Sequence, residues 1–189
     1  MLLAFYKPFR VLSQFSADGS SNDTLSGFGF PKNVYPLGRL DADSEGLLLL
    51  SDEAGLNNRL LDPSAGHGRT YQVQVEGIPD PAALRHLASG LLLQNHKTLP
   101  CRVQSLETEP EHPPRNPPIR FRKNSPTTWL EIELNEGKNR QVRRMTAAIG
   151  HPTLRLIRVR IGSLTLGNLA PGQWMELDAT ARRQVLGAC

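Results

Sequence analysis

Four consecutive leucines, Leu47 to Leu50, constrain this chain more than any other feature. The run neither alternates with a period of two nor repeats every 3.6 residues. It suits an element covered on both faces, most simply a short buried strand. Immediately before it, Gly38-Arg39-Leu40-Asp41-Ala42-Asp43-Ser44-Glu45-Gly46 sets three carboxylates and an arginine against that core. A carboxylate held there can be partly desolvated, and such carboxylates cluster where chemistry takes place.

Asp41, Asp43 and Glu45 admit three readings. The first is a solvated turn, with Asp43 or Ser44 capping a short helical turn. The second is a hard-cation site, since oxygen ligands suit magnesium, although no further acidic cluster completes a metal cage. The third makes Asp41 a nucleophile or base, with Arg39 two residues away on the same face of an extended segment. Composition and spacing leave all three open.

At 189 residues the chain can form one sizeable domain, or two small lobes sharing a core. It is 39% hydrophobic and 21% charged, ordinary for a globular protein. A net charge of +4 and a pI near 9.4 favour a polyanionic partner. Two cysteines, Cys101 and Cys189, make a poor disulfide framework and point to a reducing cytosol. The apolar start, residues 1–6, is too short for a signal sequence, and no segment approaches the ~20 apolar residues needed to cross a bilayer.

Residues 2–6 read as a buried strand ended by Lys7-Pro8, and 16–29 as a polar loop. Residues 52–61 carry Leu56, Leu60 and Leu61 at helical spacing, stopped by Asp62-Pro63. Residues 69–77 alternate: Tyr71, Val73 and Val75 face one side, Thr70, Gln72, Gln74 and Glu76 the other. On position alone Tyr71 is a packing residue. A short helix over 81–89 precedes one or two strands over 91–107. Five prolines in 108–118 exclude regular structure there. Residues 128–134 form a further strand, in which Trp129 reads as half-buried packing rather than a stacking platform. From Lys138 to Ile149 the spacing predicts a helix with Val142, Met145 and Ile149 inward and Arg140 and Arg144 together on the opposite face. Gly150 and Pro152 end it, and 179–186 reads as a closing helix. No acidic residue lies between Glu136 and Glu176, so the arginines there crowd without a local acidic neighbour, as an anion-binding surface does.

Gly38-Arg39-Leu40-Asp41-x-x-Ser44-x-Gly46-Leu47-Leu48-Leu49-Leu50 resembles the central motif of the RsuA/RluB/RluE/RluF family of ribosomal RNA pseudouridine synthases. Ser44 stands where that family usually has Thr. Gly137-Lys138-Asn139-Arg140-Gln141-Val142-Arg143-Arg144-Met145, followed by Gly150-His151-Pro152, is similar to its third motif, and Arg69-x-Tyr71 to its tyrosine strand. Lys7-Pro8 matches a Lys-Pro pair, with Phe9-Arg10 replacing the usual small residue and Gly. The likeness runs to the tail, Leu166-Gly167 through Pro171-Gly172, and covers residues 2 to about 177.

The resemblance implies catalytic roles for Asp41, for Tyr71 as the ring stacked on the target base, and for Arg143 as the basic partner of Asp41. Arg39 would fill the gap left by an extruded base. Arg140, Arg144 and Arg158 would hold phosphates, Lys7 would support the site or touch phosphate, and Leu156 would pack beneath Tyr71. The implied fold is α/β (α+β), the pseudouridine synthase catalytic fold. It has a mixed, mostly antiparallel sheet flanked by helices, with a central active-site cleft. The whole chain, 1–189, would form this one catalytic domain, with no N-terminal RNA-binding domain ahead of it, as in the E-type synthases of 23S rRNA. The expectation is a cytoplasmic, monomeric enzyme that isomerises a uridine of 23S rRNA without metal or cofactor, membrane or obligate protein partner. A catalytically silent rRNA-binding or ribosome-assembly protein on the same fold, and a metal-dependent nuclease, are the alternatives.

Overall fold

The computed structural model describes residues 1–61, 67–93, 96–119 and 125–186; the Asp62-Pro63 stop lies outside them, as does the latter part, 120–123, of a basic loop that the sequence suggests over 115–123. The chain divides into two compact units, residues 1–67 with 157–189, and residues 68–156.

The first unit is built around the leucine run. β1 (Leu2–Lys7) and β3 (Glu45–Ser51) are buried along their whole lengths and pair antiparallel, Leu3 opposite Leu50 and Phe5 opposite Leu48. Ladders on both edges and side chains covered on both faces account for four leucines without a polar alternate. The other edge of β3 takes β2 (Tyr35–Leu37) antiparallel over its later residues, and β9 (Thr153–Ile161) parallel at its start. Residues 157–161 of β9 belong to this unit and 153–156 to the second. β10 (Leu164–Thr165) pairs with β9, and β11 (Trp174–Glu176) with β1, both antiparallel. α1 (Leu56–Leu61) buries Leu56 and Leu60, and α4 (Ala179–Leu186) buries Val185. The polar loop at 16–29 contains a single 3-10 turn, Leu25–Phe28, which sinks Leu25 completely.

In the second unit β4 (Arg69–Glu76), β8 (Thr127–Leu134) and β7 (Arg102–Ser105) form an antiparallel sheet, Tyr71 and Val103 both lying opposite Ile132. β5 (Leu92–Leu93) and β6 (His96–Lys97) make a small separate ladder. α2 (Pro81–Ala88) starts at Asp80, whose carboxylate accepts from the Ala83 amide at 2.7 Å with Pro81 in the first turn. The proline-rich stretch 108–118 forms no helix or strand but docks by side chains. His112 reaches Gln72 at 2.6 Å and lies 5.9 Å from the Trp129 ring, and Arg155 donates to the Pro113 carbonyl at 2.8 Å. Trp129 is 6% exposed, a packing residue under His112.

α3 spans Gln141–Ala148, three residues shorter at its start than the helical spacing predicts. Arg140 is its N-cap in the left-handed region (φ 50°). The correction has a local cause. Gln141 accepts the Lys138 amide on its side-chain oxygen and gives its own amide to the Lys138 carbonyl, closing a turn before the helix begins. Arg140 is thus the cap and not a helical residue, although its carbonyl still accepts the Arg144 amide at 3.0 Å.

Candidate active site

In the first unit the 38–46 segment is clamped by groups distant in sequence. Ser13, buried, gives its hydroxyl to the Leu40 carbonyl at 2.8 Å and accepts the Leu40 amide at 3.0 Å. One side chain thus satisfies both backbone groups of the buried residue between Arg39 and Asp41. The Arg10 amide donates to the Ala42 carbonyl at 2.7 Å, and Asn57 accepts the Gly38 amide at 3.0 Å. The Ser44 amide closes a turn on the Asp41 carbonyl at 3.0 Å. Ser44 itself is buried, its hydroxyl without a hydrogen-bond partner among the described residues.

Gly46 sits in the left-handed half of the map (φ 102°) opposite Arg158; a Cβ there would lie 2.3 Å from the Arg158 carbonyl oxygen. Only glycine lets β3 approach β9 so closely. Arg158, 4% exposed, donates from Nε to the Leu47 carbonyl at 2.7 Å.

Lys7 is wholly buried, which speaks against an exposed strand-end charge and against contact with phosphate, and leaves support of the site as its remaining role. Its ammonium donates to the Val11 carbonyl at 2.6 Å and the Pro8 carbonyl at 2.9 Å. Burial lowers its pKa to about 7, opposed by the nearby carboxylates of Glu45, Asp43 and Asp41. Lys7 is therefore a buried amine close to the acidic turn that gives up its proton far more readily than an exposed lysine. Asp41 is half-buried and Arg39 exposed, its Nη2 3.4 Å from the Gln14 side-chain oxygen.

In the second unit Tyr71 is 8% exposed on β4. Arg143 is half-buried on α3, its Nη1 3.4 Å from the Thr153 carbonyl. Arg144 donates to the Asn139 side chain at 3.2 Å, Arg140 is exposed, and Leu156 is buried. The Gly150-His151-Pro152 stretch ties the end of α3 to the end of β4: His151 Nδ1 lies 2.8 Å from the Glu76 carbonyl, and the Glu76 amide donates to the Pro152 carbonyl at 3.0 Å. Tyr71 and Arg143 thus sit on elements joined by two hydrogen bonds. At the other end of α3, Gln141 donates to buried Glu136 at 2.5 Å, and the same carboxylate oxygen accepts the Leu99 amide at 2.7 Å.

Sequence reasoning missed Ser13, Asn57 and Glu136. Their side chains act on backbone distant in the chain, so spacing carries no sign of them. Among the described residues no group of three or more His, Cys, Asp or Glu is arranged to hold a metal, and no helix is long and apolar enough to cross a membrane.

A family model described as RNA pseudouridylate synthase matches residues 1–148, a span that includes Asp41, Tyr71 and Arg143. The chain belongs to the RNA pseudouridylate synthase family. As a pseudouridylate synthase it is an isomerase acting on uridine in RNA. It is 53% identical over 184 residues to ribosomal large subunit pseudouridine synthase E of Xanthomonas campestris, covering 97% of this chain and 98% of that protein. Its identity to the protein of the same description from Vibrio parahaemolyticus is 49% over 177 residues, 94% of this chain and 74% of the relative. A solved pseudouridylate synthase superposes with a TM-score of 0.78 at 24% identity, over 97% of this chain and 73% of that one, and so shares the α/β fold.

Proposed function

We propose that this pseudouridylate synthase isomerises a uridine of large-subunit ribosomal RNA, with Asp41 as its catalytic carboxylate. The observation that carries the substrate is the 53% identity to a large-subunit synthase across nearly the whole of both proteins. The reaction breaks the glycosidic bond, turns the base, and joins C5 to the sugar. It needs no redox change and no energy source.

Each demand of that chemistry has a candidate residue. The target nucleotide must leave its stack, at a cost of a few kcal/mol; exposed Arg39 is suited to fill the gap. The detached base must be gripped, and the ring of Tyr71 supplies a stacking face. The carboxylate must be held in position, and the clamp by Ser13 and Arg10, with Lys7 beneath, holds the backbone on either side of Asp41. Arg143 keeps the role that the resemblance gives it, as partner of Asp41. Arg140 and Arg144 offer charge to phosphates, so affinity should fall steeply with salt. Arg158 and Lys7, both buried, serve the frame of β3 and the acidic turn rather than the RNA backbone. In this reading both units make one catalytic domain, and the enzyme acts as a cytoplasmic monomer with RNA as its only partner.

The test uses large-subunit rRNA transcribed with uridine tritiated at C5, because joining C5 to the sugar releases that tritium. Wild-type protein should release it, and Asp41→Ala should release none while binding the transcript with unchanged affinity. Turnover by Asp41→Ala would remove Asp41 from its role. Release from small-subunit but not large-subunit transcript would overturn the substrate.

A further inference from the structure

Six of the chain's eleven aromatic side chains form one connected cluster in the first unit. It begins in the core at Phe5, fully buried on β1, which meets Phe28 and Phe30 edge-on at 4.9 and 5.0 Å. Trp174 lies against Phe30 at 5.8 Å and donates its indole N–H to the Phe28 carbonyl at 3.0 Å. Outward, Phe30 meets Phe15 at 6.1 Å, and Phe15 meets Tyr35 at 6.4 Å with the rings nearly perpendicular. The series ends at Tyr35, which is 65% exposed.

Burial of apolar surface does not explain a tyrosine left two-thirds in water at the end of a braced row of rings. Its contact with Phe15 restricts the positions open to it, and an aromatic ring with two χ angles binds with little loss of conformational freedom. The surroundings indicate what it would bind. Gln14, next to Phe15, holds the Arg39 guanidinium at 3.4 Å and receives the Leu25 amide on its own carbonyl at 2.9 Å. Lys32, in the turn between Phe30 and Tyr35, is exposed, and so is Arg39. Tyr35 opens β2, the short strand leading directly into Gly38-Arg39-Leu40-Asp41, so Asp41 lies six positions further on, at most about 20 Å of chain. Tyr35 thus has an exposed ring with cationic residues three and four positions away in the chain, and exposed aromatic faces combined with cations are how proteins hold unpaired bases in a sequence-tolerant way.

We propose that Tyr35, braced by Phe15, is a stacking platform for an unpaired base of the RNA substrate that flanks the reacting uridine. The inference rests on the RNA-modifying function proposed above and adds a subsite to it. It commits to an RNA base as occupant; a protein partner on the same rings is an outcome that the test would expose.

The experiment compares wild type, Tyr35→Ala, Tyr35→Phe and Tyr35→Trp on C5-tritiated large-subunit rRNA transcript, with the unfolding midpoint of each variant measured alongside. Loss of one base stack should raise KM for Tyr35→Ala by about five-fold or more. That variant should lower kcat/KM through KM, while Tyr35→Phe stays near wild type. In Tyr35→Trp the introduced indole emission should be quenched as transcript is added. An unchanged KM in Tyr35→Ala, a loss as large in Tyr35→Phe, or a Tyr35→Trp indole indifferent to RNA would each overturn the platform. So would a KM effect that tracks a lowered unfolding midpoint. If wild type releases no tritium from the transcript, the proposed function fails on its own, and the quenching still decides whether Tyr35 meets RNA.

Discussion

Gly46 and Arg158 face each other across parallel strands so closely that no side chain fits between them: a Cβ on Gly46 would lie 2.3 Å from the Arg158 carbonyl oxygen and 2.8 Å from its nitrogen. Both atoms are backbone, so rotating a side chain cannot relieve the clash. Gly46→Ala should therefore part β3 from β9, and its positive φ adds strain. We expect a loss of about 3 kcal/mol or more in urea unfolding, with the acidic turn displaced and activity lost. An unchanged unfolding midpoint would show that the strands can separate freely.

Ser13 gives a subtler result. Removing its hydroxyl leaves the amide and carbonyl of buried Leu40 without their partner, each costing about 1–3 kcal/mol if water cannot replace it. Because those groups fix the residue beside Asp41, Ser13→Ala should lower kcat with little change in KM for RNA, and Ser13→Thr should restore most of it. A mutant that loses stability but keeps its kcat would reduce Ser13 to a structural residue.

Lys7 makes stability depend on pH in a defined direction. Its pKa falls from 10.5 to about 7 on folding, so between those values the unfolded chain holds a proton that the folded chain has released. Stability from this group therefore rises with pH through that window, by up to about 1.4 kcal/mol per pH unit. The difference in unfolding free energy between wild type and Lys7→Met should grow in favour of wild type from pH 7 towards 10. A flat difference would mean that Lys7 keeps its proton in the fold.

Glu53 works in the opposite range. Hydrogen bonds from Arg182 at 2.6 and 2.8 Å, and from the Met1 ammonium at 3.0 Å, hold its carboxyl down at about 2. A depressed carboxyl contributes stability above its unfolded value near 4.5 and loses it as pH falls towards 2. The Glu53 side chain is 36% exposed, so solvent screening limits the gain to about 1 kcal/mol. Thermal melts of wild type and Glu53→Gln should differ at pH 6 and converge near pH 2. Equal melts at both values would show that water already screens the pair.

The parts legible in the sequence were those in which pattern and environment agree. Leu47 to Leu50 could only be covered on both faces, and β3 is buried throughout. The alternation of Tyr71, Val73 and Val75 gave β4 almost to the residue. Lys7 could not be placed, because a lysine before proline looks the same whether its ammonium meets water or two carbonyls. Arg140 reads as helical from the sequence because charge spacing says nothing of a left-handed cap. Ser13 and Asn57 left no trace, since their partners lie 27 and 19 residues away. The motif reading led to the right family because it rests on several residue types at fixed intervals, and the family model spans every motif up to Met145.

The shared oxygen of Glu136 carries one more implication. It grips Leu99, beyond the β6 strand, and Gln141, the first residue of the arginine-bearing helix. On the proposed role of the α3 arginines, a lesion near Leu99 need not approach any nucleotide to weaken RNA binding, because letting go of that oxygen unmoors the helix start. A genetic screen for RNA-binding defects should therefore return substitutions in this remote hairpin beside those in the arginines themselves.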